Sequence, residues 1–412
     1  MLYRFHKTGG LQLLQGGQEY FPALIRALDA ARTWIQLETY IFDLHGAGAE
    51  VAEALLRAAG RGVTVQVLVD GIGTNPLPPQ WREKFAQAKV EWFVYSPLGT
   101  GLRGLGLLLP ERWRRLHRKL CVIDQHTLFC GGINVLDDFY DPNHGDLEAP
   151  RVDFAVTMTG PLAVQAADAM ALLWWRVQAG YSARQRHMAA AWERFKAAGY
   201  GGRTGKTPVA AASETGDTGA GGPKAALILR DNLRNRSSIE RVYRKAIGKA
   251  HQEIIIANAY FLPGGKLRRA LVSAARRGVR VTLLLQGRYE YFMQYHAARP
   301  VYGALLEAGV EIHEYGAGFL HAKVAVVDGH WATVGSSNLD PLSLLLAREA
   351  NVVVEDKAFA EGLAGILREA MVTQGRRMEP AAHSHRPLGQ RLRGWVAYAL
   401  VRLALLVAGQ RY

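Results

Sequence analysis

The sequence predicts an α/β fold in which two similar domains pack as a pseudo-two-fold fused dimer. A chain of 412 residues is too long for one ordinary core and suits two domains of about 200 residues each. A strand–helix–strand order occurs in both halves of the chain, and so does one pattern of polar residues. Each domain is therefore predicted to contain a mixed, mostly parallel sheet flanked by helices.

The first half of the chain supplies the elements of the first predicted domain. Apolar residues recur at helical spacing over residues 20–31, and residues 35–42 have the composition of a buried strand. A helix is predicted over residues 48–59, ending at Gly60, and a second strand over residues 62–70. Strand, helix and strand in this order predict parallel pairing of the two strands.

The second half repeats these elements. Residues 254–261 parallel residues 35–42, a helix is predicted over residues 265–277, and residues 277–286 parallel residues 61–70. Each repeat is too large for a solenoid unit and has the size of a domain. The chain is therefore predicted to be an internal duplication.

The duplication divides the chain into four predicted segments. Residues 1–200 form the first repeat and residues 225–380 the second. Residues 201–224 are rich in Gly, Ala, Thr and Ser without aliphatic periodicity, which is typical of a flexible linker. Residues 381–412 form a basic amphipathic tail.

Two copies of one polar pattern carry the predicted chemistry. In both copies Lys follows His by two residues, Asp by seven, Gly by fourteen and Asn by seventeen. The first copy consists of His117, Lys119, Asp124, Gly131 and Asn134, and the second consists of His321, Lys323, Asp328, Gly335 and Asn338. A single match would be a weak signal, but two matches with identical internal spacing are a strong one.

The spacing of each copy suits a phosphate site. A strand has a period of two, so it projects His and Lys from one face. A neutral imidazole beside an ammonium group favours binding of a phosphate and attack on its phosphorus, because Lys supplies charge and His supplies a nucleophile or a proton. Asn and Ser side chains can donate hydrogen bonds to the remaining oxygens. Each copy is therefore predicted to contribute half of one site.

The doubled pattern resembles that of the phospholipase D superfamily. The segment His-Trp-Ala-Thr-Val-Gly-Ser-Ser-Asn-Leu-Asp-Pro-Leu-Ser-Leu at residues 330–344 is similar to that of bacterial cardiolipin synthases. Residues 254–264 and the short segment before the first repeat resemble the cardiolipin synthase B subfamily. The resemblance extends over roughly residues 10–380, apart from the linker, and implies two phospholipase D-like domains.

The resemblance also implies roles for the motif residues. His117 is expected to be the nucleophile, forming a phosphohistidine, and His321 the acid and base. Lys119 and Lys323 would neutralise the phosphate oxygens, so no metal and no other cofactor is expected. The substrate oxygens would be held by further side chains of the two motifs, namely Asn134, Asn338 and Ser336.

Four carboxylates accompany the motifs. The resemblance assigns Asp153 and Glu349 the role of orienting the imidazoles, so that the correct tautomer faces the phosphorus. Asp124 and Asp328 belong to the family's catalytic pattern. Because they lie at the far end of an extended stretch from the histidines, stabilising a turn is their expected work.

The substrate class follows from the same resemblance. Phosphatidylglycerol is the expected donor and acceptor of the phosphatidyl group, giving cardiolipin and glycerol. From the residues alone the prediction is narrower: a metal-independent phosphodiester transferase at a basic, lipid-friendly surface. A phosphodiesterase acting on lipid or nucleic acid and a non-catalytic lipid-binding scaffold are the alternatives. Both halves of the site lie in one chain, so no oligomer is required.

Composition indicates where the protein works. A net charge of +14 favours a polyanionic partner, either nucleic acid or an anionic membrane surface. A leucine-rich loop at residues 98–115 and the tail at residues 388–412 favour the membrane, although the loop could instead cover the domain interface and the tail could dock on the protein body. No nucleic acid partner is expected. The start of the chain lacks a signal peptide, so a peripheral protein on the cytoplasmic face of the cell membrane is predicted.

Overall fold

The structure is a computed structural model that describes residues 3–96, 114–142, 144–184, 222–231, 235–288, 292–345, 347–381 and 388–407. Strands β1 to β10 span His6–Lys7, Gly9–Gln15, Trp34–Thr39, Thr64–Asp70, Glu91–Tyr95, Lys119–Ile123, Thr127–Gly131, Tyr140–Asp141, Gly145–Asp146 and Phe154–Thr159. Strands β11 to β18 span Lys224–Arg230, Glu253–Asn258, Arg280–Gln286, Glu311–Tyr315, Lys323–Val327, Trp331–Gly335, Glu349–Glu355 and Gly375–Arg377.

The helices follow the predicted alternation with the strands. Helices α1 to α10 span Gly16–Ala30, Ala47–Gly60, Pro79–Gln87, Pro161–Arg184, Ser238–Lys249, Gly265–Arg276, Phe292–Leu306, Pro341–Leu345, Lys357–Gln374 and Leu388–Val407. No helix in the described ranges combines the length and the hydropathy that a membrane span requires.

Two mixed sheets confirm the predicted duplication. The first has the strand order β2-β10-β7-β6-β3-β4-β5, and the second contains the matching order β11-β17-β16-β15-β12-β13-β14 with β1 and β18 added at its edges. The strand–helix–strand units pair in parallel, as predicted, both between β3 and β4 and between β12 and β13.

The prediction that each sheet is mostly parallel is wrong. Among the described strands, only the pairs β3–β4 and β4–β5 of the first sheet and β12–β13 and β13–β14 of the second are parallel. The motif strands cause the difference, because β6 turns directly into β7 and β15 into β16, and such short connections allow only antiparallel neighbours.

The start of the chain and the last residue of the predicted linker both contribute to the second sheet. Strand β1 pairs with β11, at His6 with Ala225 and Lys7 with Lys224, so the start of the chain belongs to the second sheet. Strand β11 begins at Lys224, the last residue of the predicted linker. Residues 201–221 of that linker lie outside the described ranges.

One apolar core joins the two sheets. Leu120 and Val156 of the first sheet share a buried cluster with Val324 and Val352 of the second, and α4 and α9 contribute further residues to the same cluster. Separate clusters lie beneath α1 and α2 on the outer face of the first sheet and beneath α5, α6 and α7 on the outer face of the second. The fused halves are therefore held face to face by burial of apolar surface.

Candidate active site

The two motif histidines are held by the backbone of the opposite repeat. His117 lies just before β6, and its amide donates to the carbonyl of Arg348 at 3.0 Å. His321 lies just before β15, and its amide donates to the carbonyl of Val152 at 2.8 Å. Arg348 and Val152 each directly precede one of the carboxylates predicted to orient an imidazole. The two short bridges thus place each carboxylate beside a histidine from the other half of the chain.

The side chains of the two histidines also contact residues of the opposite repeat, as their backbone amides do. The His117 Nδ1 atom lies 3.0 Å from Oε1 and 3.1 Å from Oε2 of Glu349. The His321 Nδ1 atom lies 2.6 Å from Oδ2 of Asp153. An ionised carboxylate can only accept, so Nδ1 carries the proton in both rings. The Nε2 lone pair of each histidine is consequently left for substrate.

Burial keeps both imidazoles neutral. Burial lowers the pKa of His117; the Glu349 carboxylate opposes this effect, and Lys119 and Lys323 add to it. Burial, assisted by Lys323, lowers the pKa of His321 to about 3. Neutral imidazoles can attack an electrophile or accept a proton without first losing one.

The orienting carboxylates remain ionised despite their burial. Burial raises the pKa of Glu349, but His117 and Lys119 outweigh that effect and hold the pKa below its ordinary value. For Asp153 burial likewise raises the pKa, and Lys323 and His321 outweigh it. Each buried carboxylate is thus stabilised as an anion by the cations and donors around it.

The two lysines show that both copies form a single site. The Lys119 Nζ atom donates to the His117 carbonyl at 2.7 Å, and Lys323 makes the equivalent bond to the His321 carbonyl. Burial lowers the pKa of Lys119 to about 7, and the charge of Lys323 contributes to the decrease. Lys119 in turn lowers the pKa of His321. Each lysine therefore acts on groups of the other repeat, which places the cations around one centre.

An aromatic ring marks the half-site of His117. The Tyr40 ring centroid lies 5.0 Å from that of the His117 imidazole, and the Lys119 Nζ atom lies 5.5 Å from the Tyr40 centroid. The ring limits the positions that the imidazole can adopt and faces the ammonium group with its π-electrons.

The predicted substrate donors have different surroundings. The Asn134 side-chain oxygen accepts from the Ile41 amide at 3.2 Å, which leaves its amide nitrogen as the group that can donate to a phosphate. Asn338 is buried, and its side-chain oxygen has no partner among the residues that the structure describes.

The Ser336 hydroxyl contacts the orienting carboxylate. It donates to Glu349 at 2.5 Å and accepts from the Ala350 amide at 3.0 Å. These contacts give Ser336 a part in holding Glu349, and its role as a donor to substrate stays a prediction. Ser343, which the motif comparison missed, donates to the other Glu349 oxygen at 2.7 Å. The two serines fix the Glu349 carboxylate from both sides.

Asp124 and Asp328 lie away from the chemistry. The Asp124 carboxylate accepts from the amides of Thr33 and Trp34 at 2.8 and 2.9 Å. Asp328 accepts in the same way from the amides of residues 251–253. Both residues have a positive φ, in the turns that follow β6 and β15. These contacts match the expected work of both carboxylates in stabilising a turn, and a catalytic role for either stays a prediction.

Two further residues position the histidines. The Leu116 amide donates to Asp70 at 2.8 Å, and the Leu320 amide donates to Gln286 at 3.3 Å. Asp70 and Gln286 are the last residues of β4 and β13, which are equivalent strands. Each therefore fixes the residue just before a motif histidine. Their matching positions at the ends of repeated strands were the sequence signal that could have identified them.

Two further observations concern metal ligands and the predicted lipid loop. Among the described residues, no group of three His, Cys, Asp or Glu side chains could hold a metal ion. The predicted lipid loop at residues 98–115 lies outside the described ranges except for its last two residues, Arg114 and Arg115. Arg115 donates to Asp70 at 3.2 Å and to the Ser96 hydroxyl at 2.7 Å.

A family model described as cardiolipin synthase, PLD-like domain, matches residues 24–144 and 243–371, which contain the two motifs. Cardiolipin synthase B of Escherichia coli (strain K12) is 38% identical over 359 residues, covering 86% of this chain and 78% of the relative. Cardiolipin synthase B of Salmonella typhi is 37% identical over 373 residues, covering 90% of this chain and 82% of the relative.

A solved structure shares the fold at low sequence identity. Phosphatidylserine synthase from Haemophilus influenzae Rd KW20 superposes with a TM-score of 0.67 at 14% identity, covering 98% of this chain and 96% of that one. The similarity supports two phospholipase D-like domains in one chain. The family model and the curated relatives show that the chain belongs to the cardiolipin synthase family of the phospholipase D superfamily.

Proposed function

We propose that the protein is a phosphatidyltransferase that makes cardiolipin and glycerol from two molecules of phosphatidylglycerol. The observation that carries the proposal is the crossed arrangement of the site, in which each motif histidine is hydrogen-bonded to a carboxylate of the other repeat. Such an arrangement directs two imidazoles to one phosphorus, as a two-step displacement requires. The similarity to cardiolipin synthase B supports the choice of substrate.

In the first step the Nε2 atom of His117 attacks the phosphorus of the donor lipid. A bond forms between Nε2 and phosphorus, and the bond from phosphorus to the glycerol head group breaks. The negative charge of the bound substrate raises the pKa of His321 above its low value in the free site, so that His321 takes up a proton from solvent at Nε2 and gives it to the departing glycerol oxygen. The products are free glycerol and a phosphatidyl group attached to His117.

In the second step the reaction runs in the opposite sense with a new alcohol. His321, now neutral, removes the proton from a head-group hydroxyl of a second phosphatidylglycerol, and the hydroxyl oxygen attacks phosphorus. The bond to His117 breaks, cardiolipin leaves, and His321 is again protonated. Lys119 and Lys323 offset the negative charge on the non-bridging oxygens in both steps.

Access to lipid is provided by the C-terminal helix α10. It packs on α7 through small residues: Ala397 is buried, and a side chain at Gly394 would meet the His296 carbonyl at 3.3 Å. The opposite side of the helix carries large apolar residues that are each at least 50% exposed, and we call these the apolar stripe: Leu392, Trp395, Val396, Leu400 and Leu403.

The apolar stripe supports peripheral attachment to a membrane. Exposed apolar surface of this extent is costly in water and is stabilised at the boundary between head groups and acyl chains. Trp395 has the side chain favoured at that boundary, and the exposed Arg393 and Arg402 suit anionic head groups. The tail thus docks on the protein body and also presents a lipid-facing side. We assign the protein to the cytoplasmic face of the cell membrane.

The test is product analysis with a matched control. The protein is incubated with phosphatidylglycerol vesicles, and mass spectrometry measures cardiolipin, glycerol and phosphatidic acid. The wild type is expected to form cardiolipin, His117→Ala to form none, and His126→Ala, at an exposed histidine outside the site, to match the wild type. Phosphatidic acid as the main product would instead identify a hydrolase, because water can replace the second alcohol.

A second measurement separates a catalyst from a lipid-binding scaffold. Rapid quenching in alkali should trap labelled phosphatidyl groups on the wild type but not on the His117→Ala variant. Equal turnover by both proteins would refute the catalytic assignment, and labelled DNA cleaved in place of lipid would identify a nuclease.

A further inference from the structure

A cavity of about 560 Å³ lies on the outer face of the second domain, away from the motif residues. It is lined by Arg241, Arg244 and Lys245 of α5 and by Lys266, Arg269 and Ala270 of α6. We call it the basic cavity. Five cationic side chains surround one space that no step of the proposed reaction uses.

The positive charge of the basic cavity is poorly balanced by protein groups. Within the described part of the chain, the nearest carboxylate to any of the five cations is Glu240, whose Oε1 atom lies 3.9 Å from Arg244. The Arg241 Nε atom donates to the Ser237 carbonyl at 3.4 Å, and the Lys245 Nζ atom lies 5.7 Å from the Tyr3 ring centroid. These contacts leave most of the cationic groups available to an anion.

Helix α6 adds to the positive potential. Its first turn contains Lys266 and no acidic residue, and its N-cap, Gly264, provides no side-chain hydrogen bond. The N-terminus of a helix carries partial positive charge and exposed amides, so a basic side chain there is unfavourable and an anion is favourable. A bound phosphate would satisfy both the amides and the cations.

The basic cavity lies toward the same edge of the domain as the active site. Helix α5 begins beside the end of β11, where the Ser238 hydroxyl donates to the Leu229 carbonyl at 2.7 Å. The next residue of β11, Arg230, pairs with Glu349. Helix α6 follows the end of β12, where Asn258 pairs with Lys323. The lining residues occupy the first eight residues of each helix, so they lie within about 12 Å of these helix starts.

We propose that the basic cavity binds the phosphate group of an anionic phospholipid in the membrane and so holds the active-site edge of the domain against the bilayer. Guanidinium and ammonium groups are the side chains that bind phosphate most strongly, and none of the described residues that line the cavity is an aromatic one on which a nucleic-acid base could stack. This inference rests on the proposed function, because only an enzyme acting on lipids needs such an orientation.

The test compares two double variants of the full-length protein that each replace one Lys and one Arg, so that both lose the same charge from the pair of helices α5 and α6. Lys266→Ala with Arg269→Ala alters the basic cavity. Lys249→Ala with Arg276→Ala removes two exposed cations at the opposite ends of α5 and α6. Sedimentation with vesicles of phosphatidylglycerol and phosphatidylcholine, at 0.15 M salt, measures binding. Each Lys or Arg near an anionic surface contributes roughly 1 kcal/mol, or about fivefold in affinity.

The cavity variant is expected to bind vesicles at least tenfold more weakly than the wild type, and the control variant clearly less so. Equal losses would mean that net charge alone acts, and no loss would mean that the cavity is unused; either result overturns the proposal. Inorganic phosphate that protects the wild type against thermal unfolding at millimolar concentration, without competing with vesicles, would identify a soluble anion as the ligand and also overturn it. A selective loss of DNA binding in the cavity variant would also overturn the proposal.

Turnover of short-chain phosphatidylglycerol by the wild type, below its micelle concentration, is measured in parallel. If the wild type turns over the short-chain lipid but the cavity variant shows no selective loss of vesicle binding, only the role proposed for the basic cavity is refuted. Absence of turnover would refute the proposed function, whatever the vesicle result.

Discussion

Replacing Glu349 with Gln tests the crossed site directly. Glu349 is fully buried, and its two oxygens accept from the His117 Nδ1 atom and from the hydroxyls of Ser336 and Ser343. Glutamine has nearly the same shape but only one oxygen acceptor, and its NH₂ group can donate to an unprotonated Nδ1 atom. The substitution therefore favours the imidazole tautomer whose proton lies on Nε2, where the nucleophilic lone pair should be.

The expected loss of activity is large. Removal of a partner that orients a functional histidine typically costs on the order of 10- to 100-fold, and imposing the wrong tautomer costs up to about 10⁴-fold in serine proteases. We therefore expect kcat for phosphatidyl transfer to fall by at least about 100-fold. Ser336→Ala, which removes a single hydroxyl from the same carboxylate, should cost less. Circular dichroism checks that both variants fold.

Nitrogen-15 NMR of the histidine side chains shows which carboxylate sets the tautomer of each histidine. In the Glu349→Gln variant, the resonances of His117 should show the change of tautomer while those of His321 stay unchanged. In Asp153→Asn, the reverse should hold, and the spectra of the two His→Ala variants provide the assignments. Glu349 also raises the pKa of His117, so this pKa should fall further in the variant. A change at His321 in response to Glu349→Gln, or activity above a third of the wild type, would refute the crossed assignment.

Three other predictions address the surroundings of the site. Asp328→Ala leaves three backbone amides without their acceptor; the free energy of unfolding, measured with urea, should decrease by about 1–3 kcal/mol, while kcat per folded molecule stays near the wild type. Because the pKa of Lys119 is lowered to about 7, its ammonium group loses its proton as the pH rises above 7, and KM for the anionic donor should increase by up to about tenfold per pH unit. In the Lys119→Arg variant, KM should change little between pH 7 and 9. A pH dependence of KM equal to that of the wild type would contradict this account. Trp395→Ser in the apolar stripe should weaken sedimentation with vesicles without changing the far-ultraviolet spectrum, and unchanged sedimentation would exclude the stripe as a membrane contact.

The motif spacing was sufficient to predict where most residues of the candidate site lie. His117, Lys119, His321 and Lys323 lie at the starts of β6 and β15 because each motif combines its polar residues with an apolar strand that the core must bury. The parallel pairs were equally accessible, since a strand–helix–strand unit has one favoured arrangement. Local pattern determined these features, so sequence could predict them.

The crossing of the carboxylates could not be read from the spacing. Asp153 and Glu349 follow their motifs at different distances, because the first repeat contains the β8–β9 hairpin where the second contains α8. Which imidazole each carboxylate serves is decided by packing of the two sheets through the shared core. That packing is a long-range property, and neither motif contains information about it.

The antiparallel pairing of most strands depends on the turns between them and not on the packing of the two sheets. Only the turns between the motif strands, such as the one that contains Asp124 with its positive φ, determine how β6 and β7 pair. A carboxylate that accepts from several backbone amides stabilises such a turn. The spacing shared by the two copies of the motif therefore contained a hairpin signal that the strand–helix–strand argument left unused.

The two half-sites are similar but not equivalent, and the difference bears on which histidine is the nucleophile. Both oxygens of Glu349 lie within 3.1 Å of His117 Nδ1, and its other partners are neutral hydroxyls. Asp153 instead shares its Oδ2 atom between His321 at 2.6 Å and the Lys323 ammonium at 3.7 Å.

Gly132 maintains the difference between the surroundings of Asp153 and Glu349. A Cβ atom at Gly132 would lie 2.2 Å from an Asp153 oxygen, whereas the second copy of the motif has Ser336 at the equivalent position. Glu349 therefore has one ring within ion-pair distance, with the Lys119 charge acting on it from farther away, whereas Asp153 has both a ring and an ammonium group within ion-pair distance. A phosphorylated imidazole gains positive character and is stabilised most by an undivided carboxylate. These contacts favour His117 as the residue that carries the phosphatidyl group and leave His321 to transfer protons.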